Sequence, residues 1–518
     1  MIVVPALSGA LPGLIAAPGL SGPLAKAGVI ALASLAAVVL VAREQRARAL
    51  GTMAALCLAP VVLLADIWHS SQLTLVHRHP LVAVVVGVVA LAALAALAAA
   101  ISRRPWLIAP LVVFALPFRI PIEAGGVTSN LLVPLYFVVA AGSLGAAAGA
   151  LRPGFERTEP TGPSPGRWVE RLLAICVLLY AVQAIYSVDF QKALQQVVFF
   201  YVPFALAYRL LRDLEWNGAL LRRCLVLLAG LAVVFAGLGF VEYATKTIIL
   251  NPKLVVQNDL HAYFTVNSVF FDPDIFGRFL ALVMILLAAV LIYERRTRVT
   301  LAVTAVLAVL WAGLVLTLSR SSLGALLVGL GTLAALRWKV SRAVAVAVAV
   351  VALGGAAVAV SPSTFGLNQG LNGASSGRAG LISGGAKMFS QRLVWGYGSG
   401  SFVAEYKKQH PFSSQNLSAS HTIPITVAAE QGVIGEIAYV ALVLAALVLL
   451  FRRARGNPAR VAIAAAFLAL VFHTMLYADF LEDPVTWTLL GVGVALASAT
   501  PRPSEPAAEA PDAVPAAA

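Results

Sequence analysis

Three side chains stand out for what they could do together. Arg320 lies in Thr317-Leu318-Ser319-Arg320-Ser321-Ser322, a short polar break between two apolar runs. Arg378 lies in Gly377-Arg378-Ala379-Gly380-Leu381-Ile382, and His421 opens the stretch Ser420-His421-Thr422-Ile423-Pro424. A guanidinium offers anions a planar, permanently charged fork. An imidazole just ahead of a helix start sits where backbone N–H groups favour anions. Each residue also has a bland reading: Arg320 can snorkel from a span to the membrane surface, Arg378 can be a solvated loop cation, and His421 can be inert. What sets them apart is company. In the stretch 361–422, Arg378, Lys387, Arg392, Lys407 and Lys408 stand against one acid, Glu405, and His410 and His421 lie among them. The chemistry this suggests is an external site for an anionic ligand.

A second tier of residues borders these. Gly432 and Gly435 follow His421 by 11 and 14 residues. These intervals are close to whole turns, so both glycines share its face if one helix runs through. Glu430 and Gln431 belong to the first turns of that helix and are expected above the apolar core of the membrane. Asp272 and Asp274 flank Pro273 at the start of another apolar run, where acids suit the helix dipole. Capping is the preferred reading for this pair, and a metal pair is the alternative, although no His or further acid stands nearby in sequence. Arg278 falls about one turn inside that run. It is either a functional intramembrane cation or the partner of Asp274 one turn away.

These residues need a scaffold, and the composition supplies one. The chain has 518 residues, 60% of them hydrophobic, with a mean hydropathy of +0.90. It is expected to be an all-α polytopic membrane protein with about 12–15 transmembrane helices and one large external loop carrying short helices. Candidate spans fall near 25–42, 49–67, 81–101, 106–118, 130–150, 171–188, 193–211, 221–242, 274–293, 299–318, 321–336 and 341–360. Three more fall near 430–451, 460–478 and 484–499. The surplus of base, a net charge of +14, needs no nucleic acid, because cytoplasmic loops collect Lys and Arg. Every second connector is basic: Arg43, Arg46 and Arg48; Arg103 and Arg104; Arg152 to Arg171; Arg209 to Arg223; Arg295 to Arg298; Arg337 to Arg342; Arg452 to Arg460. That alternation puts the 361–422 loop outside. Cys57, Cys176 and Cys224 lie in apolar runs with neither disulfide nor metal spacing. Residues 1–23 lack the charged start of a cleavable signal and are broken by Pro5, Pro12, Pro18 and Pro23. No internal repeat is evident.

The expected organisation is N-terminal transmembrane helices over 1–129, a transmembrane core over 130–360 and an external loop over 361–422. C-terminal transmembrane helices over 423–499 and a disordered cytoplasmic tail over 500–518 complete it.

Five motifs, in order around the loop, resemble those of the O-antigen ligase and O-antigen polymerase superfamily. They are the Asn267 to Asp274 stretch, Ser319-Arg320, Arg378 with Ile382, the Gly-rich run 396–402, and His421-Thr422 followed by Gly432 and Gly435. The resemblance runs from about 130 to 491 and is strongest over 267–435. Departures are Thr422 for an amide or Ser, Ile382 for Leu, and Asp274 for Asn. About fifteen spans exceeds that family's usual twelve, and the extra ones are N-terminal.

The resemblance implies a metal-independent membrane glycosyltransferase of the C fold type that needs no cofactor. Its partners would be an undecaprenyl-pyrophosphate-linked glycan donor at the outer face of the cytoplasmic membrane, an acceptor hydroxyl, and membrane lipids. The acceptor would be a second lipid-linked glycan, a lipid A core, or a protein Ser or Thr. In such a reaction Arg320 and Arg378 would clamp the pyrophosphate. His421 would take the acceptor proton, or hold phosphate as a cation. Two other classes fit an apolar chain of this length: a flippase for lipid-linked oligosaccharide or another transporter, and a structural membrane subunit. Transporters tend to carry their polar sites near the midplane, whereas the polar groups here collect at one loop.

Overall fold

The computed structural model describes residues 22–67, 78–124, 127–152, 165–249, 258, 264–338, 341, 378–411 and 420–499. All but residue 341 of the span expected at 341–360, the N-terminal 21 residues and the C-terminal tail lie outside the described residues.

The described chain is almost wholly helical. Its helices are α1 (Gly22–Val41), α2 (Gln45–Ile67), α3 (Pro80–Arg103), α4 (Ile108–Ala115), α5 (Val133–Ala150), α6 (Arg167–Ala184), α7 (Phe190–Gln196), α8 (Val202–Arg212) and α9 (Gly218–Thr245). After these come α10 (Pro273–Tyr293), α11 (Thr297–Leu316), α12 (Arg320–Arg337), α13 (Arg378–Gln391), α14 (Phe402–Gln409), α15 (Ile423–Phe451), α16 (Pro458–Thr474) and α17 (Pro484–Ser498). Among the described residues nine helical segments are long and apolar enough to cross a membrane, and three more apolar helices are shorter. The protein is therefore an all-α polytopic membrane protein. Between α12 and α15 in the chain lie the short helices α13 and α14.

The run 106–118 departs from its expected span. It forms a single 3₁₀ turn, Pro105–Leu107, and the eight-residue α4, far short of the ~20 residues a crossing needs. Directly after it, β1 (Ile120–Ala124) and β2 (Val127–Leu131) pair antiparallel with Ala124 opposite Val127. The sequence between the strands is Gly125-Gly126, a two-residue link of the kind that favours hairpins. Helices α7 and α8 are joined by a π turn at Val197–Tyr201, beside Pro203, which has no N–H to give the preceding turn.

Side-chain caps fix where the helices begin. Asn217, Asp272, Ser319, Asn457 and Asp483 each accept a hydrogen bond from a backbone N–H one turn on or less. Each such cap stabilises its helix by about 1 kcal/mol. The core is aromatic as well as aliphatic, with Phe204, Tyr208, Phe276, Phe467, Phe480 and Trp487 fully buried. α10 packs on α11, α12 and α16, and α15 packs on α6 and α16. The starts of α10, α12 and α15 and the end of α16 are thereby held at one end of the bundle. At the other end the basic connectors meet. Arg48 lies 3.8 Å from Asp213, and Arg212 lies 2.8 Å from Glu170.

Candidate functional site

Asp274 is the hub where these helix ends meet. It is the second residue of α10, and its backbone N–H is taken by the capping carboxylate of Asp272 at 2.7 Å. Its own carboxylate is left to face α12. Ser319 and Ser321 donate their hydroxyls to Asp274 Oδ1, the latter at 3.0 Å, and Ser322 donates to the Asp274 carbonyl at 3.2 Å. Arg320 sits between those serines as the first residue of α12 and is exposed. The other carboxylate oxygen, Oδ2, lies 3.3 Å from Arg378 Nη2 at the start of α13. Arg378 Nη1 donates to the Leu476 carbonyl at 2.9 Å, so the guanidinium is held from two elements.

Asp274 therefore does more than the capping expected of it, and its cation is Arg378, not Arg278. Arg278 turns instead to Asp483, the cap of α17, at 2.9 Å, with both side chains buried. The pair Asp274–Arg278 suggested by spacing does not form, because the connector after α16 brings a carboxylate to Arg278 from another helix.

His421 lies two residues before α15, next to its N-cap Thr422, and has a left-handed backbone, φ 57°. Its neighbour Thr422 donates to the Met475 carbonyl at 2.8 Å, which ties the helix start to the end of α16. The ring meets Tyr477 edge-on with centroids 5.9 Å apart. Burial lowers the His421 pKa below its ordinary value and Arg378 lowers it further, while Asp274 and Asp479 oppose both. No described residue hydrogen-bonds its buried Nδ1. Tyr477 donates its hydroxyl to Asp272 Oδ2 at 2.9 Å. Burial lifts the Asp272 carboxyl to about 6, and nearby Asp274 adds to the lift. Beneath this layer His473 Nε2 lies 3.3 and 3.2 Å from the hydroxyls of Ser321 and Ser322.

The Gly-rich run 396–402 performs a separate task. The Glu430 carboxylate accepts the backbone N–H groups of Gly400 and Phe402 at 2.8 and 2.9 Å, and its carbonyl accepts Gly398 N–H at 2.8 Å. Val433 N–H reaches out to the Leu393 carbonyl at 2.8 Å. These bonds are possible because α15 is interrupted at Gly432, with φ 65° and ψ −164°, a combination open essentially to glycine alone. A Cβ there would stand 2.3 Å from the Val394 carbonyl oxygen. The helix does not run through, so Gly432 and Gly435 do not share the His421 face. The break opens the helix so that residues 393–402 can bond into it. Glu430 is buried at this joint rather than projecting into water.

Arg378, His421 and Asp274 are thus within electrostatic reach of one another, beside the serine turn that carries Arg320. Arg278, Glu430 and Gly432 hold the surrounding elements, and Gly435 lies buried against Gln431 of its own helix. The sequence reading passed over Tyr477, Asp479, Asp483 and His473. The available signal was charge: the nine-residue connector 475–483 carries Asp479, Glu482 and Asp483 with no Lys or Arg, opposite a basic loop.

No curated protein is significantly similar to the chain. Residues 305–440 match the family model described as O-antigen ligase. The matched segment contains Arg320, Arg378, His421, Glu430, Gly432 and Gly435, and Asp274 lies upstream of it. With its array of apolar helices, the chain is a multi-pass membrane protein that carries, over residues 305–440, a segment similar to the O-antigen ligase family.

Proposed function

We propose that this protein transfers a glycan from a polyprenyl-pyrophosphate carrier, of the undecaprenyl kind, to an acceptor hydroxyl at the outer face of the cytoplasmic membrane. The acceptor O–H attacks the anomeric carbon as the bond from that carbon to the pyrophosphate breaks. His421 takes the proton. Arg378 and Arg320 balance the negative charge that grows on the departing pyrophosphate. The donor is already activated, so the protein's work is positioning, proton removal and charge stabilisation.

The observation that carries this reading is the meeting of Arg378 and His421 around Asp274, on the ends of helices distant in sequence. Arg378 is held by two fixed contacts and so needs little reorganisation as charge develops, which is the condition under which such a cation helps most. A lowered His421 pKa favours the neutral imidazole at neutral pH, the form that can accept a proton. The outer location rests on the alternation of basic connectors, which sets this end against the end carrying Arg48, Arg209 and Arg212.

The test is transfer from a synthetic lipid-linked donor in membranes carrying the protein. His421→Ala and Arg320→Ala should each abolish product while leaving the protein inserted. Unchanged product in both would defeat the assignment. Metal independence is part of the proposal: transfer should persist in excess chelator, and its loss would make Asp272 and Asp274 metal ligands.

A further inference from the structure

The end of the bundle away from His421 carries a charged hollow of its own. Helix α9 begins just after Asp213 and runs ~42 Å toward the other end. Beside Asp213, helices α1, α2, α3, α5 and α8 enclose a cavity of 410 Å³. Arg48, Arg103, Arg152 and Arg209 line it, with Asp213 as its one lining carboxylate. The glycosyl-transfer reading uses none of them.

The hollow exists because every residue that α5 contributes to its lining between 142 and 150 is Gly, Ala or Ser, and Leu144 is not among them. A Cβ added at Gly149 would meet nothing within 4 Å. The rest of the wall is largely aliphatic, including Val39, Ile101 and Leu206. Arg48 and Arg209 are 8% and 7% exposed. Both approach the same oxygen, Asp213 Oδ2, at 3.8 and 2.8 Å. Glu170, behind the wall, is shared in turn by Arg209 at 3.7 Å and Arg212 at 2.8 Å. Arg103 and Arg152 stand exposed at the rim. Among the described residues the lining therefore holds four guanidiniums and the Asp213 carboxylate, with Glu170 behind the wall.

We propose that the cavity binds the phosphate headgroup of an anionic membrane lipid. Guanidinium forks match phosphate oxygens two at a time. Basic pockets between helices at the cytoplasmic surface are suited to such headgroups. The volume lies in the ~300–1,000 Å³ range of sites that enclose small ligands. A free phosphate would use the arginines alone. A lipid uses the arginines for its phosphodiester and the aliphatic wall for its glycerol and first methylenes, and so accounts for the whole lining.

The test uses the purified full-length protein in neutral detergent, titrated with phosphatidylglycerol, phosphatidylcholine or inorganic phosphate while Tm is read. Phosphatidylglycerol should raise Tm, and the other two should not. The double variant Arg103→Gln/Arg152→Gln removes rim charge from exposed positions, and Gly149→Phe fills the hollow without touching an arginine. Each should lose more than half of the phosphatidylglycerol shift. No shift in the wild type, or equal shifts in wild type and both variants, would overturn the site. A shift from inorganic phosphate as large as that from phosphatidylglycerol would overturn the lipid assignment. Glycosyl transfer is not the readout, so neither result depends on the role of His421.

Discussion

His421 can accept a proton only while its ring is neutral, and its surroundings favour that state. Burial disfavours the imidazolium and Arg378 repels it, while Asp274 and Asp479 work the other way. The net lowering places the working limb of a pH–rate profile on the acid side of ~6.5. Activity should be complete above that value and fall as pH drops through the lowered pKa. A flat profile would mean that the ring only supplies charge. His421→Ala should cost about 10²- to 10⁴-fold in rate, the usual contribution of a positioned base. Asp274→Asn separates the effects further. It removes a carboxylate that raises the His421 pKa, so the acid limb should move to lower pH, by up to about one unit. An acid limb moving upward would show that Asp274 acts on His421 chiefly through Arg378. Arg378→Ala should cost about 10²- to 10³-fold, the scale for losing one preorganised donor to a developing anion. Arg378→Lys should restore only part of it, because an ammonium cannot hold Asp274 and the Leu476 carbonyl with one rigid fork.

The helices were legible because their apolar runs are long and end at Arg, Pro or Asx, and the described helices start within a few residues of most expected spans. What sequence periodicity could not reveal is interruption. Gly432 sits in an apolar stretch where a glycine usually signals close packing. Only the docking of residues 393–402 against it explains its left-handed backbone. The same blindness hid the hairpin, since 120–131 looks like a connector until its two strands pair. Gly432→Ala therefore makes a sharp test at this scale. The strained backbone costs about 1–3 kcal/mol by itself, and a Cβ 2.3 Å from the Val394 carbonyl forces the loop away. A drop in Tm with loss of transfer is expected, and a silent substitution would show that the break is not needed. Arg278 and Asp483 offer a second test. Arg278→Met alone strands a buried carboxylate and should destabilise by about 3–5 kcal/mol. The double variant Arg278→Met/Asp483→Leu should recover most of that loss, as measured by thermal unfolding in detergent.

At the scale of the whole molecule, the types of the candidate site residues were readable and the partners they meet in the fold were not. Arg320, Arg378 and His421 declare themselves by charge against an apolar background. That Asp274 joins them, and that the connector 475–483 closes the far side, depends on how α10, α12 and α16 pack. The packing also bears on the choice between an enzyme and a carrier of lipid-linked glycan. Alternating access is usually built around a binding site at the midplane, on broken helices. Here the clustered arginines, carboxylates and histidines stand at the two ends of the bundle, with α9 running between those ends. The break in α15 at Gly432 is filled by the protein's own loop. A transferase at the outer end predicts a particular deletion phenotype. The glycan should disappear from its acceptor while lipid-linked glycan accumulates with its sugars facing outward, open to a glycosidase added to intact spheroplasts. Chain length on the stranded carrier then identifies the acceptor: single repeats if the protein joins one lipid-linked glycan to another, full-length chains if it hands them to a different acceptor. Sugars protected from the added glycosidase until the membrane is opened would mean that the missing step is movement across the bilayer, and the outer site would then have to be read as part of a transport path.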